Sequence, residues 1–240
     1  MKYKKTIKII IGAIIFITLP SLLLYGFLYF KYNEDIPIGV SGEKADALAN
    51  KMLTALNYEA FNNTDYIEWT SQKKRHYKWD RIKNTCEVYW KENRVILNLK
   101  NPENHKAFIH GFTIDGNLAK EIISKANEYF KNDSFWLVAP YKIFDEGVER
   151  KVVLNGENPN SLLVTYNESN NASNDSYLWI LDTNGKPIAF KMWTSKFPID
   201  GIKATWNNWK TTESGAQFPT FHKVMFFGFE IDGLKATQSF

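Results

Sequence analysis

The side chains that could perform acid–base, metal or nucleophilic chemistry are few: four histidines, one cysteine and scattered carboxylates. His76 and Asp80 share one face of a predicted strand, but four residues of strand span about 13 Å, which is too far for direct contact. His105 and His110 are predicted on opposite faces of a strand, and no His-Glu-x-x-His spacing occurs. The sequence therefore predicts surface or cross-strand histidines and no metal site.

Motifs for nucleophilic catalysis and for nucleotide binding do not occur in the sequence. Glu213-Ser214-Gly215 lacks the first glycine of a nucleophile elbow, and neither glycine-rich phosphate-binding motif is found. Cys86 occupies an inward position of a predicted strand, which is typical of a small buried hydrophobic residue. The sequence thus predicts no cofactor and no catalysis. A compact cluster in a cleft would favour an enzyme instead, and its candidates are His76, Asp80, Glu87 and Arg94.

Eight tryptophans are the more informative residues. Trp69, Trp79 and Trp90 share an inward parity on three successive predicted strands. Two interpretations remain open, because rings can fill an ordinary core or line a cavity for an acyl chain or another apolar ligand. In the second interpretation, the candidate ligand-binding residues are Trp69, Trp79, Trp90, Trp136, Trp179 and Phe227.

The elements that would position these rings follow from hydrophobic periodicity. Apolar residues at helical spacing predict helices over 42–57 and 117–130. Alternating segments with short connections predict antiparallel strands, which are expected at 65–72, 75–82, 86–92, 94–100, 106–113, 134–138, 148–154, 160–166, 176–182, 187–195, 203–211, 217–223 and 225–231. The expected fold class is α+β and β-rich, because no βαβ alternation is present.

A long apolar segment precedes this domain. Ile9–Phe30 carries no charge, and as a helix its 22 residues would span about 33 Å, enough for a hydrocarbon core of about 30 Å. A cleaved signal peptide is the alternative, but its apolar region is shorter and ends at small residues. The sequence therefore predicts a transmembrane anchor over 1–32, a linker over 33–40 and an extracytoplasmic domain over 41–240.

The orientation of the anchor follows from its flanking lysines, Lys2, Lys4, Lys5 and Lys8. By the positive-inside rule they keep the N-terminus in the cytoplasm. In a bacterium this predicts a single-pass inner-membrane protein with its domain on the periplasmic side.

Composition excludes two further classes of protein. The net charge of +4 includes the anchor lysines, so the domain lacks the dense basic stripe that nucleic-acid binding needs. A single cysteine excludes an internal disulfide, so the core alone must hold the domain together.

The order of elements resembles the LolA/LolB-like lipoprotein-carrier fold: a leading helix, a tryptophan-rich meander, a central helix and a second meander. The segments Trp79-Asp80-Arg81 and Trp90–Val95 also resemble uncharacterised exported proteins of Bacteroidetes bacteria. The resemblance covers about residues 41–232 and implies a curved antiparallel sheet, an incomplete barrel of about 11–13 strands with two helices around an apolar cavity. A transmembrane anchor departs from that pattern, because a tethered protein cannot cross the periplasm.

Two functional hypotheses result. The first is a membrane-tethered extracytoplasmic module that binds a lipid, a lipopeptide or another apolar ligand. The alternative is a structural or protein-interaction domain of a cell-envelope complex, without catalysis.

Overall fold

The first element of the computed structural model, which describes residues 2–153, 160–167 and 175–238, is a long helix. Helix α1 covers Lys2–Tyr32 and contains Pro20. Its part from Ile7 to Tyr32 comprises 26 residues, and the apolar window within it is wholly unburied. This helix is long and apolar enough to cross a membrane or to act as a signal anchor.

Within the described ranges, fourteen strands form one antiparallel sheet. In the first half they are β1 (Tyr66–Ser71), β2 (Arg75–Asp80), β3 (Thr85–Trp90), β4 (Asn93–Asn98), β5 (Lys106–Ile109) and β6 (Phe112–Ile114). In the second half they are β7 (Val148–Val152), β8 (Ser161–Tyr166), β9 (Asp175–Leu181), β10 (Pro187–Trp193), β11 (Ile202–Thr205), β12 (Asn207–Thr211), β13 (Gln217–Val224) and β14 (Phe227–Thr237).

The long last strand joins the two halves. The first part of β14 pairs with β13, and its second part pairs with β1. The strand order is β6-β5-β4-β3-β2-β1-β14-β13-β11-β10-β9-β8-β7, with β12 paired to β13 beside this path. Over the described ranges β6 and β7 end the order, so the sheet is not a closed barrel.

Three shorter helices complete the domain: α2 (Glu43–Ala55), α3 (Tyr58–Asn62) and α4 (Gly116–Val138). Helix α2 buries Ala45, Ala49 and Met52, one side of an amphipathic helix. Helix α4 contacts β4, β5 and β13, and therefore crosses from the first half of the sheet to the second. One hydrophobic core unites the sheet with these helices.

The β-rich α+β class is confirmed. The described residues form fourteen strands and three α-helices after α1, more than the predicted 11–13 strands and two helices, and three of the predicted elements are wrong. The predicted strand 134–138 is the last part of α4, which continues until Val138 and ends before Pro140. The predicted strand 106–113 is a hairpin, because His110 and Gly111 adopt positive φ and make a turn. The predicted strand 203–211 is two strands, interrupted at the buried Trp206.

The segment after α1 contacts the domain. The Glu34 backbone N–H donates to the Asp200 carbonyl at 3.1 Å, and the Trp193 Nε1–H donates to the Glu34 carbonyl at 2.7 Å. Further along, Val40 forms a β-bridge with Val152. Segment 33–40 therefore runs from the end of α1 along the sheet. Its contacts fix the domain next to α1.

Candidate functional site

The predicted ring-lined interior under the first half of the sheet is densely packed. Trp69 is fully buried and stacks on Tyr77 with ring centroids 4.6 Å apart. Phe130 of α4 lies edge-on to Trp79 at 5.3 Å, and Tyr129 lies edge-on to Trp90 at 5.6 Å. Each ring meets another ring at the separation typical of aromatic packing, so α4 covers this group.

A second aromatic group lies under the other half of the sheet. Trp179 is fully buried and lies 5.1 Å from Trp206 and 5.2 Å from Phe190, measured between ring centroids. Trp136 of α4 packs on Phe190 at 5.5 Å and on His222 at 5.1 Å. Helix α4 thus connects both aromatic groups into one interior.

The six predicted ligand-binding residues occupy three kinds of environment. Trp69, Trp90 and Trp179 are buried, whereas Trp79, which packs against α4, and Trp136, which belongs to α4, are partly buried. Phe227 is 71% exposed at the turn between β13 and β14, away from this interior. The structure therefore brings the five tryptophans, but not the phenylalanine, into contact with the core.

Two surface depressions lie at the edges of the domain core, and the second reaches Trp79 of the first aromatic group. One has a volume of about 420 Å³ and lies against α2 and α3, where Tyr58 and Phe144 flank it. The other, of about 360 Å³, lies at the β2–β3 turn beside Trp79 and Arg81. Both are open to solvent, and both contain polar side chains.

A buried ion pair links α4 to strand β2. The Arg75 guanidinium donates to Asp133 at 2.6 Å and 3.0 Å, and the Tyr77 hydroxyl donates to the same carboxylate at 2.6 Å. Burial raises the pKa of Tyr77, and the charge of Asp133 raises it further. The carboxylate therefore accepts three hydrogen bonds from two groups of one strand, which fixes the position of α4.

His222 is a buried histidine within the second aromatic group. It is 0% exposed, and its Nδ1 lies 3.2 Å from the Thr205 carbonyl oxygen. Burial lowers its pKa to about 4, although the backbone carbonyls of Thr205 and Trp136 act in the opposite direction. The imidazole is therefore neutral at physiological pH.

A row of polar and aromatic side chains covers the opposite face of β1–β4, and we call it the outer ladder. His76 Nε2 lies 3.2 Å from Glu68, and the Arg94 Nε donates to Glu87 at 2.8 Å. Lys78 lies between the two carboxylates in register. The members of the outer ladder are Tyr66, Glu68, His76, Lys78, Glu87, Tyr89 and Arg94, all partly exposed.

The charges of Glu87 and Arg94 in the outer ladder stabilise each other. Burial alone raises the Glu87 pKa, but hydrogen bonds from Arg94 and Tyr89 outweigh it, so the pKa lies below its usual value. For His76, partial burial lowers the pKa despite the neighbouring Glu68 carboxylate. The ladder therefore presents an ionised Glu87–Arg94 pair at neutral pH.

The four residues that could have formed an enzymatic cluster separate into three local arrangements. His76 pairs with Glu68, and Arg94 with Glu87, whereas Asp80 accepts hydrogen bonds from Lys83 in the β2–β3 turn. In the part of the chain that the structure describes, no group of three His, Cys, Asp or Glu side chains could hold a metal ion. Asp80 therefore lies apart from His76, Glu87 and Arg94, which share the outer ladder.

Sequence reasoning missed the Arg75–Asp133–Tyr77 network. Asp133 lies between the predicted helix 117–130 and the predicted strand 134–138. No hydrophobic period covered this residue, so the sequence did not predict its burial. The alternation of polar and apolar residues in β1–β4 does indicate the outer ladder, but not which of its charges pair.

The chain was compared with protein-family models, with curated proteins and with solved structures, and none of them matches.

Proposed function

We propose that this chain is a membrane-anchored, extracytoplasmic interaction domain that presents its outer ladder to a protein partner of the cell envelope. The observation that carries this proposal is the dense packing of the aromatic interior. Trp69 and Trp179 are fully buried and contact other rings directly. Recognition then takes place on the surface of the domain.

The chemistry of the outer ladder suits a protein interface. Arg94 stacks over Phe108 and Tyr89 with its guanidinium carbon 5.2 Å and 5.8 Å from the ring centroids. Tyrosine and arginine are enriched in interface hot spots, because they combine a large apolar area with polar groups. The paired charges of Glu87 and Arg94 would add electrostatic specificity.

In this proposal the anchor keeps the outer ladder outside the cytoplasm. Helix α1 has the length and apolarity of a membrane span, and the lysines before it favour a cytoplasmic N-terminus. In this proposal the protein is a single-pass inner-membrane protein. It performs no catalysis and holds its partner at a fixed height above the bilayer.

Photo-crosslinking in intact membranes tests this proposal. A benzophenone amino acid replaces Tyr89 in the outer ladder, and the matched control replaces Tyr58, an exposed tyrosine of α3. We expect one discrete crosslinked product from position 89 that is lost when Arg94→Glu is added. Equal products from both positions, or none from position 89, would contradict the proposal.

A second proposal retains an apolar ligand, and one observation favours it. The rings of Trp79, Phe130 and Trp136 along α4 are only partly buried, so the aromatic seam under this helix reaches solvent. An acyl chain could enter there if α4 moved away from the sheet. The sheet would then act as the incomplete barrel of a LolA/LolB-like carrier fold.

A photoactivatable fatty acid bearing a diazirine distinguishes the two proposals. With the full chain in nanodiscs, crosslinks mapped to residues 129–136 of α4 would support the ligand-binding proposal. Crosslinks confined to α1 would support the interaction domain, because the fatty acid would then occupy only the bilayer.

A further inference from the structure

The turn between β13 and β14 exposes two adjacent phenylalanines. Val224 pairs with Phe227, which leaves Met225 and Phe226 as the two turn residues. Phe226 is 62% exposed and Phe227 is 71% exposed, and their ring centroids lie 5.0 Å apart. These two adjacent exposed rings form an apolar surface patch. Contact of such a patch with water is unfavourable, so it marks a site of contact with a protein or a membrane.

The strand register places this turn at the end of the sheet that meets α1. Val224 pairs with Ala204 of β11, and β11 and β13 are antiparallel. The turn therefore extends past Ala204 toward Ile202, the first residue of β11. The loop before Ile202, residues 194–201, contacts α1 through Pro198.

This loop contacts α1 within its apolar segment. The Tyr25 hydroxyl donates to the Pro198 carbonyl at 3.2 Å, and Leu28 packs against the hydrophobic core. Tyr25 lies two turns before the end of α1, which is about 10 Å along the helix axis. If α1 crosses the bilayer, loop 194–201 lies at the depth of the lipid headgroups, the region that tyrosine side chains favour.

The same end of the domain carries exposed basic residues. Lys203 lies on β11 beside the loop, Lys223 precedes the turn of β13–β14, and Lys196 lies within the loop itself. Phe197, beside Lys196, is 38% exposed. Exposed aromatic rings together with lysines characterise surfaces that lie in a membrane interface, where the rings enter the acyl boundary and the lysines bind anionic headgroups.

We propose that this end of the domain, the membrane-facing tip, rests in the outer interface of the bilayer that α1 crosses. The phenylalanines of the β13–β14 turn enter the lipid, and Lys196, Lys203 and Lys223 contact anionic headgroups. The inference rests on the anchoring role proposed for α1. It adds a second attachment, which prevents rotation of the domain about the helix.

A fluorescence experiment on the full chain tests the membrane-facing tip. An environment-sensitive NBD label is attached to a cysteine at Phe226→Cys, and the chain is reconstituted in vesicles of phosphatidylcholine and phosphatidylglycerol containing a doxyl-labelled quencher lipid. The native Cys86 does not compete, because it is buried and burial raises the pKa of its thiol. The matched control is Ile82→Cys, an equally exposed apolar turn residue at the opposite end of the sheet.

A third label, at Leu19→Cys, reports on α1 itself. We expect quenching at positions 19 and 226 and several-fold weaker quenching at position 82. Quenching at 19 without quenching at 226 would overturn the membrane-facing tip while leaving the anchor intact. No quenching at 19 would contradict the anchor. An apolar emission at 226 without lipid quenching would identify a protein contact in place of lipid and would also overturn the inference.

The lysines are tested by the lipid composition. In vesicles without phosphatidylglycerol, and in the Lys203→Gln/Lys223→Gln variant, we expect weaker quenching at position 226. Unchanged quenching in both would contradict the role assigned to the lysines.

Discussion

The two faces of strands β1–β4 both carry ion pairs between arginine and a carboxylate, but in different surroundings. On the inner face, the side chains of Arg75 and Asp133 are 17% and 6% exposed. On the outer face, those of Arg94 and Glu87 are 39% and 30% exposed. The same pairing chemistry therefore fixes a helix on one face and remains accessible to solvent on the other.

The energetic consequences of the two pairs differ. Removing one partner of a buried pair leaves an uncompensated charge and costs about 3–5 kcal/mol. Exposed pairs contribute about 0–1 kcal/mol, because water screens them. Stability should therefore depend on the inner face, and recognition on the outer one.

The largest effect is expected from the aromatic interior. Trp179→Ala should reduce the free energy of unfolding by about 3–5 kcal/mol, since it leaves a cavity among rings that pack directly. Denaturant unfolding of the full chain in nanodiscs measures this change. The control Ile82→Ala, in the exposed β2–β3 turn, should alter it by less than about 0.5 kcal/mol, and an equal loss from both would break the distinction between interior and surface.

The next effect concerns the buried ion pair. Asp133→Asn should cost about 3 kcal/mol, because Arg75 loses its counter-charge while it remains largely buried. The same unfolding measurement applies, with Glu87→Gln as the matched control on the outer face. If the two substitutions reduce the free energy of unfolding by the same amount, the proposed difference between the inner-face and outer-face ion pairs is wrong.

A pH dependence follows from His222. Its folded pKa of about 4 lies below the unfolded value, so the unfolded state binds the proton more tightly between these two values. Stability is fully present above the unfolded pKa and is lost as the pH falls toward 4. Between pH 7 and pH 4.5 the loss attributable to His222 should be about 2.5 kcal/mol.

The variant His222→Gln isolates this contribution. Its unfolding free energy should fall less over the same pH range, whatever its absolute stability. An identical pH dependence in the variant and the parent protein would show that another group is responsible.

The smallest effect on stability is expected in the outer ladder. Glu87→Gln should change the free energy of unfolding by less than about 1 kcal/mol. It should nevertheless reduce partner crosslinking from position 89, because Arg94 loses its negatively charged acceptor. A large stability change without any change in crosslinking would assign the ladder a structural role.

Local patterns were sufficient to predict most of the strands and the inward parity of the tryptophans, because alternation in β1–β4 repeats at the period of a strand. They were not sufficient at Phe135, where apolar alternation suggested a strand although the chain remains in α4. Tertiary packing of Phe135 on Tyr177, at 4.7 Å between ring centroids, favours the helix there.

The parts of the site that escaped prediction depend on contacts distant in sequence. Arg75 and Asp133 are 58 residues apart, and no local period connects them. Phe227 was expected in the interior, but the two-residue turn that begins at Met225, where φ is 52°, ends the strand and leaves the ring outside.

The filled interior is the central claim, and quenching of tryptophan fluorescence tests it directly. All eight tryptophans lie in the domain and none in α1, so the emission reports on the domain alone. The full chain with Trp193→Phe, which removes the indole fluorophore beside the junction with α1, is titrated in nanodiscs with a dibrominated fatty acid. A filled interior predicts unchanged emission, whereas saturable quenching would contradict it.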